Sequence, residues 1–269
     1  MSGDFLQREA GLQNLKGYKK MKSKSEIVKT VKAEGVYCLP NLLSKNELDE
    51  TRQDLGRACR DAGHEAYNAG ERTRLSGEVL LKYPAIARVF SDPQILELCS
   101  SITEEPIPFL QEIVANRYIP PHPGIAPHSD EDFGELVPPF MRVTWALFLD
   151  DISAQSGALL YAPGTHWHHY LSKDDPEKKS PTQEQIRTAN YVPIELMAGT
   201  LILRAPEVWH AVAPIHHLRR YITGSYSSRN RVSSWLGKDI ARLRAQRQKV
   251  KKEDIPEGLR NVFYSEAAP

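Results

Sequence analysis

An all-β core of the sandwich or jelly-roll type, with a helical layer on its N-terminal side and so α+β overall, is the fold class this sequence predicts. Three observations predict it. Apolar residues recur at helical spacing between about 26 and 105 and at strand spacing between about 106 and 228. The strand-like runs are short and are parted by turns rich in proline and glycine. Neither an internal repeat nor a low-complexity tract breaks this order. Helices gathered first and many short strands gathered after them suit a closed or double-layered β core better than alternating βαβ units.

In chain order, residues 1–25 are polar and lysine-rich (Lys16, Lys19, Lys20, Lys22, Lys24), as a solvated tail is. One domain is expected over 26–269, with a helical layer at about 26–105, a β core at about 106–228 and a C-terminal helix at about 229–254. Ile27, Val28 and Val31 form an apolar face that ends at Gly35. VYCLPNLL reads as a short strand broken at Pro40. Ser44-Lys45-Asn46-Glu47 is a capping box, which starts a helix carrying Leu48, Leu55 and Ala58 to near Gly63. Residues 64–80 read as a polar loop able to cover a site. Helices follow at Tyr83–Phe90 and Pro93–Ile102, the second opened by Asp92-Pro93. Strands are then expected in FLQEIVANRYI, MRVTWALFLDD, SGALLYAPGTH, YVPIEL, GTLILRA and RRYITGSYSS. PPHPGIAPHSD reads as an irregular approach to an edge strand, and 172–190 as a charged insertion.

Composition narrows the function classes. A net charge of +1 gives no field toward nucleic acid or a membrane surface. The basic residues of the last helix, Arg242 to Lys252, lack the interleaved aromatics of a nucleic-acid helix. Cys38, Cys59 and Cys99 form no CxxC pair, as expected in a reducing compartment. There is no signal-like apolar region and no run of about 18 apolar residues. The expectation is a soluble cytoplasmic protein, monomer or homodimer, acting on a small molecule, with no nucleic-acid or membrane partner.

The chemistry gathers at His128-Ser129-Asp130. Alternate strand residues point the same way, so a His-x-Asp triplet converges an imidazole nitrogen and a carboxylate oxygen. Taken alone, the triplet is better read as a solvated loop beside Pro127. With His210 from a distant strand it becomes two histidines and one carboxylate, the facial set of non-haem Fe(II) oxygenases, which leaves positions open. Glu131 points away and Asp132 lies too far along. His168, His169, His216 and His217 read as surface histidines or as supports behind the site, ahead of a second metal site. Arg72, Arg74 and Lys82 are candidates to meet an acidic substrate group, or else belong to a solvated loop.

Four features stand in order: His128-Ser129-Asp130; Asp150-Asp151 followed by Gly157-Ala158-Leu159 and Pro163-Gly164-Thr165-His166; Gly199-Thr200-Leu201 leading to Trp209-His210; and Arg219-Arg220-Tyr221-Ile222-Thr223. This succession, with the opening EGVYCLPNLLSKNELDETR, resembles the phytanoyl-CoA dioxygenase family of Fe(II)/2-oxoglutarate-dependent oxygenases over about residues 30–228. The resemblance implies a cupin-like double-stranded β-helix with His128, Asp130 and His210 as iron ligands. It implies that Arg219 anchors the 2-oxoglutarate carboxylate, with the adjacent Arg220 as rival, and that Asn116 and Trp145 line the co-substrate pocket. His166, at the end of the family-like turn, is expected to line the pocket. Cofactors would be Fe(II), 2-oxoglutarate and O2. The reaction would be hydroxylation or another oxidation of an unactivated C–H in a small metabolite or natural-product intermediate of secondary metabolism. Halogenation is disfavoured because Asp130 keeps the acidic ligand. A silent β-helix scaffold and a cupin-type metal isomerase are the alternatives.

Overall fold

The computed structural model describes residues 22–65, 68–131, 136–172, 175, 177–231 and 234–264. Most of the expected N-terminal tail, and Asp132, lie outside them.

The helical layer starts where its caps say. Ser23 and Glu26 form a capping box ahead of α1 (Lys24–Glu34), and Ser44 and Glu47 form another ahead of α2 (Lys45–Asp61). Asp92 accepts from two backbone N–H groups at the head of α4 (Pro93–Thr103), next to α3 (Pro84–Phe90). Between α1 and α2 runs β1 (Val36–Leu39). Residues 64–80 correct an expectation: Arg72–Ser76 is a strand, β2, rather than loop. Its Arg-Thr-Arg alternation does follow strand period, but a partner strand, not local apolarity, makes it one.

The β core comprises β3 (Phe109–Tyr118), β4 (Ile125–His128), β5 (Arg142–Phe148), β6 (Leu159–Ala162), β7 (Val192–Ile194), β8 (Leu201–Arg204), β9 (Trp209–Val212) and β10 (Arg219–Ser227). Six strands pair antiparallel in the order β1-β8-β5-β10-β3-β2, and four in the order β4-β9-β6-β7. The non-sequential orders are those of a jelly roll with cupin-like topology, as the resemblance implies. The charged insertion contributes a short helix, α5 (Gln183–Arg187). The last expected helix runs as α6 (Ser234–Arg247), and a further short helix follows as α7 (Arg260–Tyr264).

The large sheet has two buried faces. Its outer face carries α3 and α4, with Ile86, Phe90, Ile95 and Cys99 packed on Ile113, Trp145, Leu147, Ile222 and Tyr226. Gly224 makes that contact possible: a Cβ there would stand 2.8 Å from both Phe90 and Trp145. Its inner face turns to the four-stranded sheet, and the space between is the cavity.

Candidate functional site

Strand register decides which side chains enter the cavity. Alternate residues of three neighbouring strands do so: Glu112, Val114, Asn116 and Tyr118 of β3, Thr223, Tyr221 and Arg219 of β10, and Arg142, Thr144, Ala146 and Phe148 of β5. They form cross-strand rows. Arg72, Tyr118 and Arg219 share one row, Arg74, Asn116, Tyr221 and Phe148 the next, and Glu112, Thr144 and Arg204 lie nearer the opposite end. The facing sheet supplies His128, His210, Tyr161, Leu159 and Val212 around a volume of about 320 Å³.

His128 on β4 is the direct cross-strand partner of His210 on β9, and their rings lie 4.2 Å apart. His128 Nδ1 lies 2.8 Å from the Ala126 carbonyl and His210 Nδ1 2.9 Å from that of Val208. A carbonyl only accepts, so each Nδ1 carries the hydrogen and each Nε2 is turned toward Asp130. Asp130 stands beyond the end of β4, so a turn rather than strand alternation brings it in. Its backbone N–H donates to the Pro206 carbonyl at 3.0 Å. Asp130 Oδ1 lies 3.4 Å from His128 Nε2 and 3.6 Å from His210 Nε2. One ligand atom from each of the three residues falls within 4.8 Å of the others, a group able to hold a metal ion.

The electrostatics are those of a ligand cluster. Burial would raise the Asp130 carboxyl, but Arg204 and the two histidines overcome it and hold it well below the usual carboxylate range. Burial, helped by Arg204, pushes His210 down to about 3, so its imidazole is neutral at physiological pH. Its bond to Asp130 raises His128 against the opposing effect of burial.

Arg219 is buried in the same cavity. Its Nη2 donates to the Gly157 carbonyl, while Nη1 has no partner among the described residues. Burial lowers its pKa to about 10. Arg220 is turned away and holds Asp150 through its backbone N–H and two guanidinium bonds at 2.8, 3.0 and 2.6 Å. Asn116, 1% exposed, also leaves both amide atoms without a partner among the described residues, facing the cavity. Arg72 and Arg74 line the mouth, Arg72 over the Tyr118 ring. Lys82 is instead engaged with Asp61 at the surface.

Two expected pocket residues are not there. Trp145 lies between Thr144 and Ala146 on β5, so it faces outward and packs on Phe90 at a ring distance of 5.0 Å. His166 is fully buried against α1, its Nε2 3.1 Å from the Lys32 carbonyl, among Phe140, Trp167 and Tyr170. Burial pushes it down to about 4. Conversely, Arg204, Arg142, Glu112 and Thr144 escaped the sequence reading. A cation closing the apolar run of β8 was the one available signal for Arg204.

Solved structures share this frame. HygX from Streptomyces hygroscopicus, with nickel and 2-oxoglutarate bound, superposes with a TM-score of 0.60 at 15% identity, over 78% of this chain and 88% of that one. EctD from S. alaskensis, with 2-oxoglutarate and 5-hydroxyectoine, gives 0.59 at 14% identity over 80% of each chain. The non-heme alpha ketoglutarate dependent epimerase SnoN from nogalamycin biosynthesis gives 0.59 at 17% identity, over 76% of this chain and 83% of that one. At such identities the likeness is one of fold. No curated protein matches the sequence. A family model is more specific: that of phytanoyl-CoA dioxygenase (PhyH) matches residues 31–216, a span that runs from α1 past His128, Asp130 and His210. With the motif order, the antiparallel double-layered core and that match in agreement, the chain belongs to the phytanoyl-CoA dioxygenase (PhyH) family of Fe(II)/2-oxoglutarate-dependent oxygenases.

Proposed function

We propose that this protein is a Fe(II)/2-oxoglutarate-dependent dioxygenase that oxidises an unactivated C–H of a small metabolite or natural-product intermediate. One observation carries the reading: two Nε2 atoms and a carboxylate oxygen converge in a cavity that also holds a buried guanidinium with one nitrogen unpartnered among the described residues. The residues fit the groups. His128, Asp130 and His210 are a nitrogen–oxygen set suited to Fe(II), and it is not closed by a fourth protein ligand among the described residues. Arg219 Nη1 and the Asn116 amide are donors that burial leaves in need of an acceptor, which a carboxylate supplies.

Bound there, Fe(II) and 2-oxoglutarate would supply the oxidising power, with succinate and CO2 as co-products. The chain contributes the rest. Arg219 fixes the far carboxylate. Phe148 and Tyr221, whose rings lie 5.1 Å apart, offer an apolar wall to the co-substrate's methylenes. Arg72 and Arg74 at the mouth meet a polar or acidic group of the substrate and orient its reacting carbon.

Anaerobic addition of Fe(II) and 2-oxoglutarate should produce charge-transfer absorption, and air should then release succinate. Asp130→Ala should abolish both. A chain that shows neither signal is no oxygenase, and a scaffold or metal isomerase takes its place.

A further inference from the structure

We propose that Arg204 is a positioning residue that restricts Asp130 to offering one oxygen to the metal, keeping the neighbouring positions free for 2-oxoglutarate. This rests on the metal reading above. A carboxylate that can turn about its Cβ–Cγ bond is able to present either oxygen or both. Asp130 does not have that freedom. Oδ1 faces both histidine Nε2 atoms, at 3.4 and 3.6 Å, while Oδ2 accepts a charge-assisted bond from Arg204 Nη2.

The clamp is itself fixed. Arg204 ends a strand inside the large sheet, its backbone in register with Val36 on one side and Thr144 on the other. Its side chain is 12% exposed, so solvent does not compete for the guanidinium. The Asp130 backbone is anchored as well, by its N–H on Pro206. Both ends of the bond are therefore held by the fold.

Charge and geometry make opposing predictions about this residue. A guanidinium near a dication repels it, so a role of charge alone would leave metal binding undiminished, or tighter, once the charge is gone. A role in geometry predicts that Asp130 presents both oxygens once released. Chelation by both would consume one of the positions that a facial three-ligand set leaves open. The loss then falls on 2-oxoglutarate.

The test compares wild type, Arg204→Met and Arg204→Lys loaded with Co(II), after apo melting curves establish that each folds. Visible absorption reports the ligand set, and titration with 2-oxoglutarate reports the remaining positions. Arg204→Met should show an altered Co(II) spectrum before any co-substrate is added, and a 2-oxoglutarate affinity about 10–100-fold lower, the usual range for a lost partner of a metal ligand. Arg204→Lys keeps one donor and the charge, and should restore most of both. A wild-type spectrum in Arg204→Met overturns the proposal, and so does weakened 2-oxoglutarate binding with an unchanged binary spectrum. If Arg204→Met fails to fold, Arg204→Leu, which also lacks a donor, carries the same readouts. A wild-type chain that takes up no Co(II) refutes the metal reading itself, and this proposal with it.

Discussion

Asn116 and Arg219 share a condition: each is buried, faces the cavity and holds a polar atom with no partner among the described residues. An unsatisfied buried polar atom costs about 1–3 kcal/mol, a cost that ligand binding removes. Asn116→Leu should therefore raise the melting temperature of the apoprotein while weakening 2-oxoglutarate or substrate binding, as calorimetry and titration would read. A lower melting temperature with unchanged binding would contradict this. Arg219→Lys keeps the charge but loses the fork, and should weaken 2-oxoglutarate about tenfold or more, at about 1.4 kcal/mol per decade. Unchanged affinity would remove Arg219 from that role. The residues legible in the sequence were those whose neighbours mark them. His128 and Asp130 stand two apart, His210 follows a glycine-led strand, and Arg219 opens one. The preference for Arg219 over Arg220 came from resemblance; of the two, Arg219 lines the cavity and Arg220 is held by Asp150. Arg204 and Thr144 were illegible because their meaning lies in cross-strand register, which no local pattern states.

Strand β5 explains why Trp145 was misplaced. Both its faces are buried, so although Arg142, Thr144 and Ala146 alternate with the larger apolar Val143, Trp145 and Leu147, burial alone does not say which parity meets the cavity. The other strands answer it: Thr144 pairs with Arg204, and both turn inward. Trp145→Phe should then cost stability by leaving a gap against Phe90, about 1–3 kcal/mol, with 2-oxoglutarate affinity unchanged. A selective loss of that affinity would return Trp145 to the pocket. His166 was misplaced for a related reason, since a turn sequence states that the chain reverses but not what packs beneath it. Here that is Gly35, where a Cβ would come within 2.6 Å of His166 Nδ1. A second glycine ties an element to the site directly. Gly157 has φ +105°, a Cβ there would meet the Pro214 carbonyl oxygen at 2.5 Å, and its own carbonyl holds Arg219. Gly157→Ala should lower the melting temperature by a few degrees, at about 2–4 °C per kcal/mol for a chain of this size. It should also weaken 2-oxoglutarate, because the strained loop moves the carbonyl that orients Arg219. Wild-type affinity in a destabilised Gly157→Ala would separate the loop from the site.

At the scale of the whole molecule, the architecture places a charged seam beside the candidate metal cluster. Arg142 serves Glu131 at 2.5 Å and Glu112 at 3.4 Å. Glu207, 1% exposed, accepts from the Tyr170 hydroxyl at 3.3 Å. Burial, with Glu131 nearby, pushes Glu207 from 4.5 up to about 8. The sign of its effect on stability follows from proton binding in the two states. Below pH 4.5 both hold the proton, and the residue adds no pH dependence. Between 4.5 and about 8 the unfolded chain has released the proton and the folded chain keeps it, so stability falls as pH rises. Above about 8 the folded chain ionises too, and the fall ends. Glu207→Gln accepts the same tyrosine bond but has no proton to lose. The melting temperature of the metal-free variant minus that of metal-free wild type should therefore climb between about pH 5 and pH 8 and level off above it. Taking the difference cancels the titrating groups that Glu207 does not influence. A difference that stays flat across that window would mean that Glu207 is ionised in the folded chain, with Arg142 shared between it and Glu131.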